Sequence, residues 1–167
     1  DRRRVERRKS HRCKRDSAMK GNYTRYPAIK AAQYRRLDAI KNPLWVEAMA
    51  TKIKSQKWFR WHDAGDLQSV DHMNKIIEVC KLTPGTQHWL PTQERQYLPK
   101  PEDVPANLII RLSAAKVDGT AGNAWSHSST VVTDGAPSCR APDQGGKCLD
   151  CRACWDKEVK NVSYGKH

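Results

Sequence analysis

Apolar residues occur along the chain in two patterns: at helical spacing, and in short continuous runs. Helical spacing first appears in RYPAIKAAQYRRLDAIK, where Ile29, Ala32, Leu37 and Ile40 form an apolar stripe. Pro27 suits the first position of this predicted helix, because its missing N–H would have no partner there. The stripe predicts that these four apolar side chains face a core.

Two further helices are predicted by the same spacing. Asn42 is placed to cap the first, NPLWVEAMATKIKSQ, and Ser69 to cap the second, SVDHMNKIIEVCKL, since both side chains accept hydrogen bonds from a first-turn N–H. In the second helix we expect His72 on the surface. The residues expected to face the core are Met73, Ile76, Ile77 and Cys80. Pro84 and Gly85 end this helix.

Five short runs rich in apolar or β-branched residues predict strands. They are 58–61, 87–91, 107–113, 129–133 and 161–164. Because these runs alternate with helices or long connections, we expect an α/β fold with a mainly parallel sheet and flanking helices. None of the apolar runs approaches the roughly 20 residues that a membrane-spanning helix needs, so no membrane partner is predicted.

Positive charge is concentrated at the start of the chain. Of the formal net charge of +13, residues 1–15 contribute nine Lys and Arg against two acids. Such a segment attracts nucleic acid by counterion release, and it is equally typical of a solvated tail. The residues predicted to contact nucleic acid non-specifically are Arg2, Arg3, Arg4, Arg7 and Arg8. We therefore expect a basic arm, 1–15, followed by a single α/β domain, 16–167.

Polar side chains follow or precede each predicted strand. In parallel α/β folds ligands bind at the carboxyl ends of strands, so these groups are candidates for one substrate site. The catalytic candidates are Arg60, His62, Asp63, Glu94, Arg111 and His127. The alternative is that they cap helices and close turns. Because the chain has no phosphate-binding glycine loop and no G-x-S-x-G elbow, the sequence assigns no reaction to them.

Four of the six cysteines lie close together, in the segment 138–155. Their spacing is Cys139-x8-Cys148-x2-Cys151-x2-Cys154. The charged N-terminal segment shows no secretory signal, so we expect a cytosolic setting in which thiols stay reduced. Clustered cysteines then more often bind a metal than form disulfides. The sequence predicts a C-terminal metal loop.

The continuous C-x2-C-x2-C run favours an iron–sulfur cluster over a zinc ion. Zinc sites usually combine two separated C-x2-C pairs, whereas three consecutive thiols suit three corners of a [4Fe–4S] cluster. Cys139 is the expected fourth ligand, with Cys13 as a substitute. Such a cluster would exchange electrons with a redox partner or brace the loop. Cys80, by contrast, is expected to pack as a small apolar residue.

A zinc-stabilised module that binds nucleic acid through the basic arm is the alternative function. A nucleic-acid surface interleaves exposed aromatic residues with basic ones. The aromatic residues Trp58, Phe59 and Trp61 instead look buried. The arm alone therefore supports this alternative.

Four longer motifs carry a resemblance to a known family. AMKGNYTRYPAIKAA, FRWHDAGDLQS, HWLPTQE and CRAPDQGGKCLDCRACW together resemble the bacteriophage family gene product 88, over nearly the whole chain from about Cys13. The family also carries a cysteine-rich entry that ends in CYA. Here Asp16 and Ser17 stand where CY is expected, so the resemblance does not extend to a second metal site.

The resemblance implies an origin and a fold more than a reaction. It implies a virus-encoded protein in the cytoplasm of the infected bacterial host, with a sheet similar to a partial (β/α) barrel. A similar CYA opening in other phage families invites comparison with radical S-adenosylmethionine enzymes, but the C-x3-C-x2-C motif of those enzymes is missing here. Radical chemistry is therefore the less favoured alternative.

Overall fold

The computed structural model describes residues 26–63 and 65–166. The predicted basic arm and Cys13 lie outside the described residues. The described chain forms two compact units, one of residues 26–45 with Asp63 and Gly65, the other of residues 46–62 and 66–166.

The first unit contains helix α1, Pro27–Ala39, which begins with Pro27 as predicted. No residue of α1 is buried. Ile29, Ala32 and Ile40 are half-buried, but Leu37 is 40 % exposed. The prediction that all four face a core is therefore wrong for Leu37. Leu37 lies one helical turn from Tyr34, whose side chain is also exposed.

Helix α2, Trp45–Ile53, begins later than predicted. The Asn42 side chain accepts a hydrogen bond from the Leu44 N–H at 2.9 Å, and the Asn42 carbonyl accepts one from the Trp45 N–H. Asn42 therefore closes a turn ahead of the helix instead of capping its first turn.

Helix α3, Val70–Leu82, is capped as predicted, because the Ser69 hydroxyl accepts a hydrogen bond from the His72 N–H at 3.0 Å. Its predicted inward residues, Met73, Ile76, Ile77 and Cys80, are all buried. The expectation for His72 is wrong. This side chain is only 4 % exposed, because its ring packs against that of His62 with the ring centres 5.5 Å apart.

The second unit contains a five-stranded sheet in which every neighbouring pair is parallel. The strands lie in sequence order: β1 Trp58–Arg60, β2 Gln87–Thr92, β3 Leu108–Ser113, β4 Ser128–Val132 and β5 Asn161–Gly165. The sheet curls into a half-barrel, so the predicted α/β fold with a parallel, partial-barrel sheet is confirmed.

The core of the second unit lies along its two central strands. Leu90 on β2, and Leu108, Ile110 and Leu112 on β3, are at most 1 % exposed. Strands buried on both faces have continuous apolar sequences, which explains why the run LII correctly predicted β3. Within the part of the chain that the structure describes, no helix is both long and apolar enough to span a membrane.

Candidate metal centre

The segment between β4 and β5 carries the four clustered cysteines, and its first cysteine is fixed along β5. Ser138 and Ser163 exchange two hydrogen bonds, each from a backbone N–H to the other hydroxyl at 2.8 Å. The Cys139 N–H then donates to the Ser163 carbonyl at 2.9 Å. These bonds set the position of Cys139, although it stands nine residues before the next cysteine.

Tight turns bring the remaining cysteines back toward Cys139. Gly145 and Gly146 have φ of 64° and 77°, in the left-handed region that glycine enters without steric cost. Leu149 also lies in this region, with φ of 46°. The turn around it closes with a 2.9 Å hydrogen bond from the Cys151 N–H to the Cys148 carbonyl. The C-x2-C spacing is thus folded into a single turn.

All four cysteines line one cavity. Its volume is about 310 Å³, which includes open solvent. The lining residues are Cys139, Arg140, Ala141, Cys148, Cys151, Ala153, Cys154, Trp155 and Val162. Cys148 and Cys151 are exposed, Cys139 and Cys154 are half-buried, and none of the four is in a disulfide. Among residues 26–63 and 65–166, no group of three or more His, Cys, Asp or Glu side chains is placed to hold a metal ion.

A buried arginine from the central sheet holds the end of this segment. Arg111 on β3 is completely buried, and its guanidinium donates only to backbone carbonyls. The acceptors within 2.8–2.9 Å are the carbonyls of Ala153, Cys154, Asp156 and Val159, with that of Ser128 at 3.4 Å. Among the described residues, Arg111 forms no ion pair with a carboxylate. It therefore places a positive charge directly beside the Cys154 backbone.

Neighbouring groups shift the pKa of the Cys154 thiol in opposite directions. Burial raises the pKa of its thiol, and a hydrogen bond with the Tyr164 hydroxyl at 3.4 Å and the Arg111 charge lower that pKa. The thiols of Cys139 and Cys148 raise the same pKa, because thiolates so close together repel. A bound cation would relieve this repulsion, since metal binding displaces thiol protons.

The strand-end candidates differ in the contacts that the structure gives them. Arg60 is exposed, with its guanidinium 4.9 Å from the centre of the Trp89 ring. Arg111 supports the cysteine segment. His127 also supports it, because its Nε2 lies 2.9 Å from the Lys157 carbonyl. Asp63 is exposed and belongs to the first unit. A shared catalytic role for these residues stays a prediction.

His62 lies at the end of β1 in an unusual backbone conformation. Its φ is 53°, a left-handed value that side chains other than glycine rarely adopt. Burial lowers its pKa, against the opposing effect of the Asp66 charge. Burial likewise lowers the pKa of His72 to about 4. Both imidazoles are therefore neutral near pH 7.

The carboxylates of Asp66 and Glu94 accept hydrogen bonds in turns. Asp66 accepts hydrogen bonds from the Thr92 hydroxyl at 2.5 Å and from the Gln93 N–H at 2.7 Å, which joins the segment after β1 to the end of β2. Glu94 accepts one from the Gln96 side chain at 2.5 Å. Asp66 therefore closes the turn that follows β1.

Sequence reasoning missed Tyr164 as a contact of the cysteine segment. Alternate residues of a strand lie on the same face, so Tyr164 on β5 shares a face with Val162. Val162 lines the cysteine cavity, and the Tyr164 hydroxyl meets Cys154. The alternation in NVSYG could have placed Tyr164 there, once the loop was known to return to β5.

Comparison with known proteins gives one result. The family model described as Gene product 88 matches residues 11–138. Curated proteins and solved structures give no match. The matched segment covers α1 to β4 and ends one residue before Cys139, so the four clustered cysteines follow it directly. Because the match spans more than half of the chain, the protein belongs to the Gene product 88 family of phages.

Proposed function

We propose that the segment 139–154 binds one [4Fe–4S] cluster through Cys139, Cys148, Cys151 and Cys154, which makes this chain a phage iron–sulfur protein. The observation that carries the proposal is that these four thiols line a single cavity. Cysteine thiolates are the usual ligands of such clusters. The proposal implies a reducing compartment, the cytoplasm of the infected host, where thiols stay available.

The walls of the cavity suit an iron–sulfur cluster. Val162 is 1 % exposed, and the indole of Trp155 packs against Trp89 with ring centres 5.2 Å apart. These apolar walls would shield one side of a cluster from water, and exposure to solvent is one of the factors that set the reduction potential. The surroundings of the four thiols therefore support the proposal.

Charge supports the same assignment. A metal centre with four thiolate ligands carries a net negative charge, whether the metal is zinc or an iron–sulfur cluster. Arg111 supplies a buried positive charge that pairs with no carboxylate among the described residues. A buried charge is costly without opposite charge nearby, so the negative charge of a cluster would add to that of the Asp156 carboxylate in stabilising Arg111.

Exposure favours an electron-carrying role over a purely structural one. Cys148 and Cys151 are exposed, so two ligands of the cluster would lie at the protein surface. Electrons could then pass to a redox partner that docks over these two residues. The remaining ligands, Cys139 and Cys154, attach the cluster to β5.

Anaerobic purification tests the proposal directly. We expect a brown protein with broad absorbance near roughly 400 nm and about four irons per chain. The Cys151→Ser variant should lose most of this iron. The Cys80→Ala variant is the matched control and should keep it, because Cys80 is completely buried in α3, away from the cavity lining.

Two results would overturn parts of the proposal. A colourless protein with about one zinc per chain would replace the cluster by a structural zinc ion. Full iron content in Cys139→Ser together with its loss in Cys13→Ser would move the fourth ligand to Cys13. Electron paramagnetic resonance of the reduced protein then separates an electron carrier, which gives a reversible signal, from an inert brace.

A further inference from the structure

The sulfur atom of Cys154 has a hydrogen-bond partner from the described part of the chain, which distinguishes it from the other three cysteines of the cavity. Its Sγ lies 3.4 Å from the hydroxyl oxygen of Tyr164. Both residues are half-buried, whereas Cys148 and Cys151 are exposed to water. Among the described residues, the Tyr164 hydroxyl has no second hydrogen-bond partner that competes for its proton. The contact is therefore specific to one thiol.

Strand β5 fixes the position of this hydroxyl. Tyr164 pairs with Val131 of β4, so its backbone is part of the sheet. It lies two residues after Val162 and on the same face of the strand, and Val162 lines the cysteine cavity. The donor therefore belongs to the sheet, and the acceptor belongs to the cysteine segment.

The direction of the hydrogen bond follows from the chemistry of its two atoms. A cysteine sulfur that is bound to a metal carries no proton, so Cys154 can only accept. A phenol has an ordinary pKa near 10 and keeps its proton at neutral pH. Tyr164 is therefore the donor whenever Cys154 is a ligand.

We propose that Tyr164 raises the reduction potential of the cluster by donating this hydrogen bond to the Cys154 thiolate, an inference that rests on the proposed function. Reduction adds one electron, taken from the redox partner, and so increases the negative charge on the cluster and its thiolates. Hydrogen bonds become stronger as the acceptor becomes more negative. The bond therefore stabilises the reduced state more than the oxidised state, and hydrogen bonds to the sulfurs are among the factors that set such potentials.

A purely structural role is the alternative, in which the bond only attaches the segment to β5. Other contacts already provide this attachment. Ser138 and Ser163 exchange two hydrogen bonds at 2.8 Å near the first cysteine, and Arg111 donates to the carbonyls at the end of the segment. Because these bonds do not involve the Tyr164 hydroxyl, its removal should leave the four thiols in place.

Potentiometric titration of the anaerobically purified Tyr164→Phe variant, followed by visible absorbance and electron paramagnetic resonance, tests the proposal. The substitution removes the hydroxyl and keeps the ring. We expect about four irons per chain, as in the unmodified protein. At a fixed solution potential the ratio of reduced to oxidised cluster should fall about tenfold, as the loss of one hydrogen bond to a charged acceptor implies. For a one-electron couple this is a decrease of about 59 mV.

Two control variants separate the hydrogen bond from general effects. Tyr97→Phe makes the same change at another half-buried tyrosine, which is absent from the cavity lining, and it should keep the potential. Ser138→Ala removes the hydroxyl that accepts the Ser163 N–H, without touching a sulfur atom. It should lower the Tm and also keep the potential.

The outcomes distinguish this inference from the proposed function. A brown Tyr164→Phe protein with an unchanged potential would overturn the inference alone. Loss of iron from Tyr164→Phe, or an equal decrease of the potential in Ser138→Ala, would show a structural role and would also overturn it. A colourless unmodified protein with one zinc per chain would overturn the proposed function and this inference together, since zinc has no redox change.

Discussion

The central strands and the cysteine segment belong to one unit, yet different forces hold them in place. On β2 and β3, Leu90, Ile110 and Leu112 are almost completely buried, and apolar packing dominates. In the segment 133–160, none of the described residues is buried. Hydrogen bonds from Arg111 and with Ser163 attach it to the sheet instead. A segment without a core of its own is thus positioned by a few polar contacts from its neighbour.

This difference has a functional meaning. The hydrophobic effect is non-directional, whereas a hydrogen bond requires a particular distance and angle between donor and acceptor. A metal centre needs ligands at fixed positions, so directional polar attachments suit it. Substitutions in the packed strands should therefore cost more stability than substitutions in the cysteine segment.

Removing an apolar side chain from the centre of the sheet should have the largest effect. We expect Leu112→Ala to lower the free energy of unfolding by about 4 kcal/mol, because it leaves a cavity in a fully packed core. Leu82→Ala removes the same side chain from an exposed site and should cost less than about 1 kcal/mol. Urea denaturation measures both. Equal costs would mean that β3 is not the stabilising centre.

Acidification should have the second-largest effect, because it lowers the stability of the packed strands. Burial lowers the pKa of His88 on β2 to about 4, below the ordinary 6.5. The unfolded chain therefore takes up the proton first, so stability is full above pH 6.5 and is lost as the pH falls toward 4. The loss is about 3 kcal/mol for this imidazole.

The variant His88→Gln identifies the group responsible for the pH effect. The His88 Nε2 lies 2.9 Å from the Thr83 hydroxyl, and a glutamine amide can donate a similar bond without titrating. Unfolding measured at pH 7, 6, 5 and 4 should then show a shallower decline than in the unmodified protein. An unchanged slope would assign the pH dependence to other groups, such as His72.

Arg111→Met should release the cysteine segment while the sheet stays folded. We expect the free energy of unfolding to fall by about 2 kcal/mol, since four backbone carbonyls lose a charged donor and the apolar replacement preserves packing. Trypsin should cut faster after Lys147 and Arg152. The control is Arg95→Met, because the exposed Arg95 donates to the single carbonyl of Ala121. Equal proteolysis of the two variants would contradict the bracing role of Arg111.

The smallest effect should come from the glycine turn. Gly146→Ala places a side chain at φ of 77°, with no atom within 4 Å of the new Cβ, so its cost of about 1 kcal/mol is purely conformational. Gly85→Ala has the same open surroundings without the positive φ, and it should cost less. Thermal unfolding of the two variants gives the difference. A matching Tm would show that the turn at Gly146 carries no strain.

The sequence predicted those parts of the fold in which local signals agree with tertiary packing. Ser69 and the spacing of Met73, Ile76 and Cys80 placed α3 correctly, and the apolar run at Leu108 placed β3. Leu37 and His72 were misplaced, because burial at one helical position depends on what packs there. Helical spacing shows which residues share a face, but not which face is covered.

The candidate site was predicted in part. Local spacing brought Cys148, Cys151 and Cys154 together, and they do line one cavity. The role of Arg111 could not be read in the same way, because its acceptor carbonyls come 42 to 48 residues later in the chain, apart from that of Ser128. An arginine at the end of a strand looks the same in sequence whether it binds a substrate or a loop.

The narrow contact between β3 and β4 has a consequence for motion. These two strands pair at only two positions, Leu112 with Ser128 and Ser113 with Ser129, whereas β2–β3 and β4–β5 each pair at five. Proteins open locally where few contacts must break. We therefore expect strands β4 and β5, with the cysteine segment between them, to open as one unit once the Arg111 hydrogen bonds to that segment break. Its amide protons should exchange before those of β2 and β3, and ligand binding to the thiols should slow that exchange first.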